Sequence, residues 1–310
     1  HSHYWLSGWL GSWAAKRWSC PHVVTFHTLG IAKDTAAAGP PESRMRTATE
    51  REVSRLCDRV LSSTGRDRQQ LIEGYHADPD KVRVVPCGVN LSLFRPAGRR
   101  AARKRLGLAP DEPVALYVGR FDPVKGMDRL LEAIAQTDRS SRLQLVIVGG
   151  DGRANAEHRR LQAKSRQLDI DDRVRFVGRI DQLELPPYYH AADMLVLPSH
   201  YESFGLVTLE ALGCGIPVVA TPVGVAAEIL QPRRNGLIVG NADPGGLARG
   251  IETVFDWQRR GLLSPQTIRS SVEAYRWNRI ASTMLAEYRQ VLERPAAALR
   301  PVPSERASCL

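Results

Sequence analysis

Two glutamates, Glu202 and Glu210, lie eight positions apart across a predicted strand-to-helix turn. An apolar run at 194–199 ends just before the first glutamate, and the apolar spacing over 204–212 predicts a helix. Glu202 is therefore expected in a loop after a strand, with Glu210 about two turns into the helix. The helix start offers free N–H groups and a positive dipole end for a phosphate. Two carboxylates beside an anion site can bind sugar and ribose hydroxyls, as in a nucleotide-sugar site.

This segment resembles the E-x7-E motif of the retaining glycosyltransferases of family 4. Three further segments resemble that family's motifs in the family's order: 117–126, 146–152 and 213–220. One such motif alone would be weak, but four in order are specific. The resemblance covers about residues 113 to 240. It implies an α/β chain with the GT-B fold, two Rossmann-like domains, the N-terminal one incomplete. The alternative is that both glutamates are solvated acids on a helix face.

The resemblance also implies roles for residues of the second domain. Arg120 and Lys125 would stabilise the negative charge that grows on the leaving diphosphate, which is an electrostatic role. Glu202 would bind the hydroxyls of the donor sugar, and Glu210 those of the ribose. The family is usually explained by front-face displacement, and no metal or other cofactor is expected because these cations can replace a metal ion. The remaining predicted donor-binding residues are Gly119, Phe204, Gly205 and Leu206.

The N-terminal segments 1–8 and 25–30 resemble a subgroup of family 4 that contains D-inositol-3-phosphate glycosyltransferases and, more distantly, sucrose-phosphate synthases. Acceptors in this subgroup carry a phosphate. The resemblance implies that the acceptor phosphate is held by Tyr4, Thr28 and Arg46, and that His27 lies beside the donor sugar. Hydroxyls and a guanidinium are suitable phosphate donors. The alternatives are aromatic packing for the tyrosine and a merely solvated helix position for the arginine.

One segment departs from the family pattern. Family members usually carry a Gly-Gly pair after the strand equivalent to 217–221, whereas only Gly224 of that pair is present here. A Cβ at Val225 limits positive φ and close backbone approach. We therefore expect an altered donor or acceptor preference, or reduced activity.

Strand and helix candidates alternate from residue 113 onward, as in a doubly wound sheet. The predicted units are 1–105, the C-terminal part of the first domain plus a linker; 106–276, the nucleotide-sugar-binding domain; and 277–310, a helix and a tail expected to be disordered. The predicted strands there are 114–119, 143–148, 174–177, 194–198, 217–220 and 236–239, and the helices are 126–136, 156–168, 183–192, 204–212, 225–230, 243–258, 264–275 and 277–293.

Only three strand candidates precede residue 106, namely 23–26, 59–62 and 82–85. A Rossmann sheet normally has about six strands. Compared with the family, the first strand and its Gly-rich loop are missing, so we expect a fragment of the enzyme. Catalysis by such a fragment is in doubt, and a non-catalytic nucleotide-sugar-binding module is the alternative function.

Composition fits a two-domain enzyme, with 310 residues of which 43% are hydrophobic. The sequence contains neither an apolar run of transmembrane length nor a signal-peptide pattern. Five scattered cysteines without a CxxC pair predict free thiols in a reducing compartment, and hence a cytoplasmic location.

The net charge of +10 has its densest basic cluster at 99–105. No nucleic-acid-binding motif accompanies that cluster, so a solvated linker helix is the preferred interpretation and no nucleic-acid partner is expected. Peripheral contact with an anionic membrane stays open, because many enzymes of this architecture glycosylate lipids.

The predicted function is retaining hexosyl transfer from a nucleoside-diphosphate sugar, with UDP as the expected nucleotide, to a hydroxyl of an anionic acceptor, a phosphorylated polyol or sugar. A lipid or polysaccharide acceptor is the alternative within the family. A UDP-sugar 2-epimerase shares the architecture but matches the motifs less well. The sequence leaves the oligomeric state undetermined.

Overall fold

The computed structural model describes residues 1–36, 41–150, 156–240 and 243–293, and within them the chain forms two parallel sheets. The first sheet has the order β1-β2-β3-β4. Its strands are β1 (Ser2–His3), β2 (Val23–Thr25), β3 (Arg59–Ser62) and β4 (Val82–Val84). The prediction of three strands was therefore wrong by one. Strand β1 was missed because it has two polar residues and no apolar alternation for a sequence pattern to detect.

The second sheet contains six strands in the order β10-β9-β8-β5-β6-β7. The predicted apolar runs form these strands, because a parallel strand covered on both faces is apolar throughout. The order reverses between β5 and β8, and ligands bind at this kind of reversal, outside the carboxyl ends of the strands. The six are β5 (Val114–Gly119), β6 (Gln144–Gly149), β7 (Val174–Gly178), β8 (Met194–Leu197), β9 (Val218–Ala220) and β10 (Gly236–Ile238).

Helices cover both sheets. Those before the second sheet are α1 (Tyr4–Trp18), α2 (Gly30–Thr35), α3 (Arg44–Leu56), α4 (Gly65–Glu73) and α5 (Arg99–Leu106). Those that follow are α6 (Met127–Gln136), α7 (Ala156–Gln167), α8 (Pro186–Ala191), α9 (Leu206–Gly213), α10 (Ala226–Ile229), α11 (Pro244–Arg259), α12 (Pro265–Ser270) and α13 (Trp277–Leu292). Among the described helices, none is both long and apolar enough to cross a membrane.

Three predicted helices differ from the structure. The helix predicted at 183–192 is a 3-10 turn followed by α8, which begins at Pro186 because proline fits the first turn of a helix. The helix predicted at 264–275 ends at Ser270, and a separate 3-10 turn follows it. Helix α9 begins at Leu206, after Gly205 at φ +85°, so Glu210 lies little more than one turn into the helix rather than two.

The last described helix, α13, packs on the first sheet. Ile280 and Val291 of α13 share an apolar cluster with Val23 and Leu61. The buried Arg59 of β3 pairs with Glu287 of α13 at 3.2 Å. The C-terminal helix therefore covers one face of the N-terminal sheet. The predicted disordered tail lies outside the described residues, and the exact domain boundaries stay a prediction.

The basic segment 99–105 forms α5, which packs against α8. Arg103 is only 3% exposed and donates to Asp193 at 2.7 Å. Because the backbone N–H of Val114 at the start of β5 also donates to Asp193 at 2.7 Å, this ion pair ties the helix to the second sheet. The solvated-linker interpretation is wrong for Arg103 and holds for the exposed Lys104.

Candidate functional site

The loops after β5 and β8 meet where the order of the second sheet reverses. Gly126, at φ +70°, lies so close to β8 that a Cβ on it would be 2.2 Å from the carbonyl oxygen of Pro198. The N–H of His200 donates to the carbonyl of Val124 at 2.8 Å. This close approach, which glycine permits, brings Lys125 of one loop beside Glu202 of the other.

Lys125 and Glu202 form the centre of the site. The Lys125 ammonium donates to both carboxylate oxygens of Glu202 at 2.8 Å, and the Ser199 hydroxyl donates to the same carboxylate at 2.7 Å. The side chains are 18% and 12% exposed, so the pair is largely shielded from water. A charge-assisted, two-oxygen contact of this kind fixes both groups in place. A cation and a carboxylate are thus presented side by side at the strand ends.

The loop between Glu202 and α9 is held by the segment after β9. A Cβ on Gly224, at φ +49°, would be 2.3 Å from the carbonyl oxygen of Phe204, and the N–H of Val225 donates to that oxygen at 2.7 Å. Val225 has φ −66° and ψ −23°, which is ordinary helical backbone. Val225 thus has no positive φ, as expected for a residue with a Cβ, and in this segment Gly224 takes that conformation. An altered substrate preference stays a prediction.

Helix α9 begins without a side-chain cap at Gly205. Within the described chain, no hydrogen-bond acceptor is recorded for the N–H groups of Leu206 and Val207. Unpaired N–H groups at a helix start attract anions. The predicted donor-binding residues Phe204, Gly205 and Leu206 thus lie where backbone donors are available, immediately after Glu202.

Glu210 does not contact the Lys125–Glu202 pair. Its carboxylate accepts hydrogen bonds from the Tyr189 hydroxyl at 2.7 Å and from the Gln182 amide at 3.0 Å. Glu210 is 5% exposed, and burial raises its pKa against the opposing effect of those two hydrogen bonds. It lies on the same helix as the free N–H groups, one turn further along.

Arg120 and Gly119 end β5 at the same edge of the sheet. The Arg120 side chain is 73% exposed and lies 3.8 Å from the Asp122 carboxylate, too far for a hydrogen bond. The Tyr117 hydroxyl donates to the Arg120 carbonyl at 2.8 Å and holds the backbone there. Arg120 is therefore near the site by position but free to reorient, whereas Lys125 is already fixed.

Three residues of the first sheet's side come together as the sequence predicted. The Arg46 guanidinium donates to the Thr28 hydroxyl at 2.8 Å and to the Thr28 carbonyl at 3.0 Å. It also lies 5.2 Å from the centre of the Tyr4 ring. Arg46 is 4% exposed and pairs with Glu50 at 2.8 Å and Glu42 at 3.0 Å. The alternative of a solvated helix arginine is therefore wrong.

His27 lies just beyond the end of β2 in a strained turn. Its φ is +60°, and the N–H of Thr28 donates to the carbonyl of Phe26 at 2.7 Å, which defines a γ-turn centred on His27. The ring contacts His3, with 2.9 Å between His27 Nε2 and His3 Nδ1. Partial burial, followed by the charge of His3, lowers the pKa of His27. Both effects favour the neutral form of the ring.

The two sides of the site touch directly. The Ser203 hydroxyl donates to the carbonyl of His27, and the N–H of Gly65 donates to Glu228 at 2.7 Å. Sequence reasoning did not single out Ser203 or His3. Ser203 is inside the E-x7-E segment, and His3 is on the strand beside β2, but no local pattern shows which residues of another sheet they meet.

Comparisons with known proteins agree with this geometry. Residues 98–261 match the family Glycosyl transferases group 1, and residues 1–93 match Glycosyltransferase Family 4. The D-inositol 3-phosphate glycosyltransferase 2 of Catenulispora acidiphila is 42% identical over 268 residues, which make up 84% of this chain and 63% of that protein. The chain thus spans less than two thirds of the length of this curated relative.

Solved structures are also similar to this chain, and two of them bear on its fold. Sucrose-phosphate synthase from Thermosynechococcus elongatus has a TM-score of 0.84 and 36% identity, over 94% of this chain and 73% of that one. Anabaena Alr3699/HepE, solved in complex with UDP and glucose, has a TM-score of 0.81 at 20% identity, over 92% of this chain and 76% of that one. The second match supports the fold alone.

Proposed function

Since the chain belongs to the group 1 and family 4 glycosyltransferases and has their GT-B fold, we propose that it transfers a sugar from a nucleoside diphosphate to a hydroxyl of a phosphorylated acceptor. One observation carries this proposal. A cation–carboxylate pair on one sheet, Lys125–Glu202, and an arginine–hydroxyl cluster on the other, Arg46–Thr28, are linked through the contact between Ser203 and His27.

The donor side has the groups that a leaving diphosphate requires. Lys125 supplies a fixed positive charge, and the unpaired N–H groups of Leu206 and Val207, which follow its partner Glu202 in the chain, supply backbone donors. Such groups act by stabilising charge that develops as the bond to the sugar breaks. Glu202 is placed to accept hydrogen bonds from sugar hydroxyls, with its second partner Ser199 keeping it oriented. Arg120 would turn towards the diphosphate from its exposed position.

The acceptor side fits a phosphate group. A phosphate near Arg46 would meet the guanidinium, the Thr28 hydroxyl and the Tyr4 hydroxyl, which are donors of the right kind. Glu42 already pairs with Arg46, so the phosphate has to displace that carboxylate or share the guanidinium with it. The names of the similar proteins, an inositol 3-phosphate glycosyltransferase and a sucrose-phosphate synthase, both refer to phosphorylated compounds. UDP remains the proposed nucleotide, as the sequence resemblance implies.

The test is transfer by the full chain from a panel of UDP-sugars to phosphorylated and unphosphorylated forms of the same polyols, with the anomeric configuration of the product determined by NMR. We expect retention and a strong preference for the phosphorylated acceptor. Replacing Arg46 with lysine keeps the charge but removes the two-pronged contact to Thr28, so it should raise the acceptor KM and leave the UDP affinity unchanged. Equal use of both acceptor forms would contradict the proposed acceptor class.

The second candidate is nucleotide-sugar binding without transfer. It is favoured by the partners that the key cations already have, since Lys125 contacts Glu202 and Arg46 contacts two glutamates. Calorimetry with UDP separates the two candidates when combined with the transfer assay. UDP binding without any product supports the binding module, and product formation excludes it.

A further inference from the structure

Three consecutive residues of the loop after β8 face in alternating directions. Tyr201 packs against the apolar core of the first sheet, Glu202 contacts Lys125 of the second, and Ser203 donates to the carbonyl of His27 on the first. The two residues that flank the proposed sugar-binding Glu202 are thus both anchored on the first sheet's side of the molecule.

The residue that accepts the Ser203 hydrogen bond is the strained one. A γ-turn with positive φ at its centre is rare, and a non-glycine residue is strained there unless its surroundings hold it. The turn at His27 reverses the chain directly before Thr28, whose hydroxyl and carbonyl both contact Arg46. The conformation of this turn therefore decides where the Thr28–Arg46 cluster lies.

We propose that Ser203 is a positioning residue whose hydroxyl holds the His27 turn in its strained conformation, so that the acceptor cluster is assembled only when the Glu202 loop is docked against it. This inference rests on the proposed function for its consequence in transfer, while the contact itself can be tested without activity. Among the described hydrogen bonds, the Ser203 side chain contacts neither the Lys125–Glu202 pair nor the Thr28–Arg46 cluster, and it acts through the backbone of His27.

A single hydrogen bond is suited to this task. The His27 carbonyl is the only group through which the second sheet's loop contacts the turn among the described hydrogen bonds. The His27 ring is held separately by His3, on the strand next to β2. Loss of the hydroxyl would therefore release the backbone of the turn while the ring contact and the Lys125–Glu202 pair remain. The effect should appear on the acceptor side and leave the donor side unchanged.

The experiment compares Ser203→Ala with Ser203→Thr, which keeps a hydroxyl, and with Ser92→Ala, an exposed serine in another loop, as the matched control. Hydrogen exchange of the Thr28 amide reports on the turn, because that N–H is its closing donor. In Ser203→Ala we expect this amide to exchange about 3- to 10-fold faster, the factor that loss of one hydrogen bond produces. The threonine variant and the control should stay within about twofold of the parent chain.

Kinetics and calorimetry complete the test. Ser203→Ala should raise the acceptor KM by a similar 3- to 10-fold, with the dissociation constant of UDP within about twofold of the parent. Unchanged Thr28 exchange in Ser203→Ala, or a UDP affinity that falls as much as the acceptor KM rises, would overturn the inference. If the parent chain bound no UDP and formed no product, the proposed function would fail, and the exchange measurement would still decide whether Ser203 holds the turn.

Discussion

The donor side and the acceptor side use charge differently. On the donor side Lys125 has one partner, Glu202, and the neighbouring helix start leaves backbone donors free. On the acceptor side Arg46 is fully engaged with Thr28 and two glutamates, and one of these, Glu50, is completely buried. A ligand can reach the first cation by displacing one contact, whereas the second cation is also a structural element of its domain. On the donor side, a mutation should therefore change ligand affinity without lowering folding stability. On the acceptor side, one mutation should lower both.

The largest effect is expected from Arg46→Ala. Removing this guanidinium leaves Glu50, at 0% exposure, without its cation, although Tyr75 and the N–H of Gly30 still donate to it. Breaking a buried pair in this way costs about 3–5 kcal/mol. Urea unfolding of the variant should show that loss, whereas the exposed neighbour Arg44→Ala should change stability by less than about 0.5 kcal/mol. Equal stability of the two variants would mean that Arg46 serves only the ligand.

The next effect concerns Asp67, which lines a cavity of about 10 Å³ with His27 and Thr28. Burial, together with the charge of Glu228 across the interface, raises the pKa of Asp67 from 3.8 to about 7. The folded state thus binds this proton more tightly than the unfolded state, so stability falls as pH rises from about 4 to about 7. Asp67→Asn removes that penalty. It should leave stability unchanged below about pH 4 and increase it by an amount on the order of 4 kcal/mol above about pH 7.

Thermal unfolding of the parent chain and of Asp67→Asn between pH 4 and pH 8 checks this prediction. If the difference in stability between Asp67→Asn and the parent chain were constant across that range, the pKa of Asp67 would be the same in the folded and the unfolded state. Asp138→Asn is the control, because that exposed carboxylate has its pKa lowered by hydrogen bonds from Ser140 and should show no such rise.

On the donor side, Lys125→Ala should weaken UDP binding by about 1.5–3 kcal/mol, the size of a charge-assisted hydrogen bond. Removal of the lysine also leaves the Glu202 carboxylate facing the diphosphate without its counter-ion. The double variant Lys125→Ala with Glu202→Gln should therefore recover part of the lost affinity. Calorimetry measures the dissociation constant of UDP for the single and the double variant, with the exposed Lys104→Ala as control. An unchanged dissociation constant in Lys125→Ala would place this lysine outside the donor site.

The sequence predicted the second sheet and its site better than the first. Apolar runs and glycines mark β5 and β8 locally, so the loops bearing Lys125 and Glu202 were predicted at the correct strand ends. Strand β1 has no such local signal, and the proximity of Ser203 to His27 depends on how the two sheets are arranged. Burial of Arg46 was also invisible, because a charged helical sequence does not show which face meets another domain.

The smallest effect concerns the pH dependence of transfer through His27. Partial burial and the charge of His3 keep its pKa below the ordinary 6.5, so the neutral ring persists as the solution is acidified. The charged or titratable groups around this pair are His1 and Tyr288 behind His3, and Asp67 and Arg46 beside the turn. His3→Ala removes the electrostatic effect of that ring and opens the His27 ring to water, and both changes raise the pKa of His27. The acid limb of kcat/KM should therefore move to higher pH. His76→Ala, on the distant α4–β4 turn, should not move it, and a shift to lower pH in His3→Ala would show that the neutral form of His27 is not the one that transfer requires.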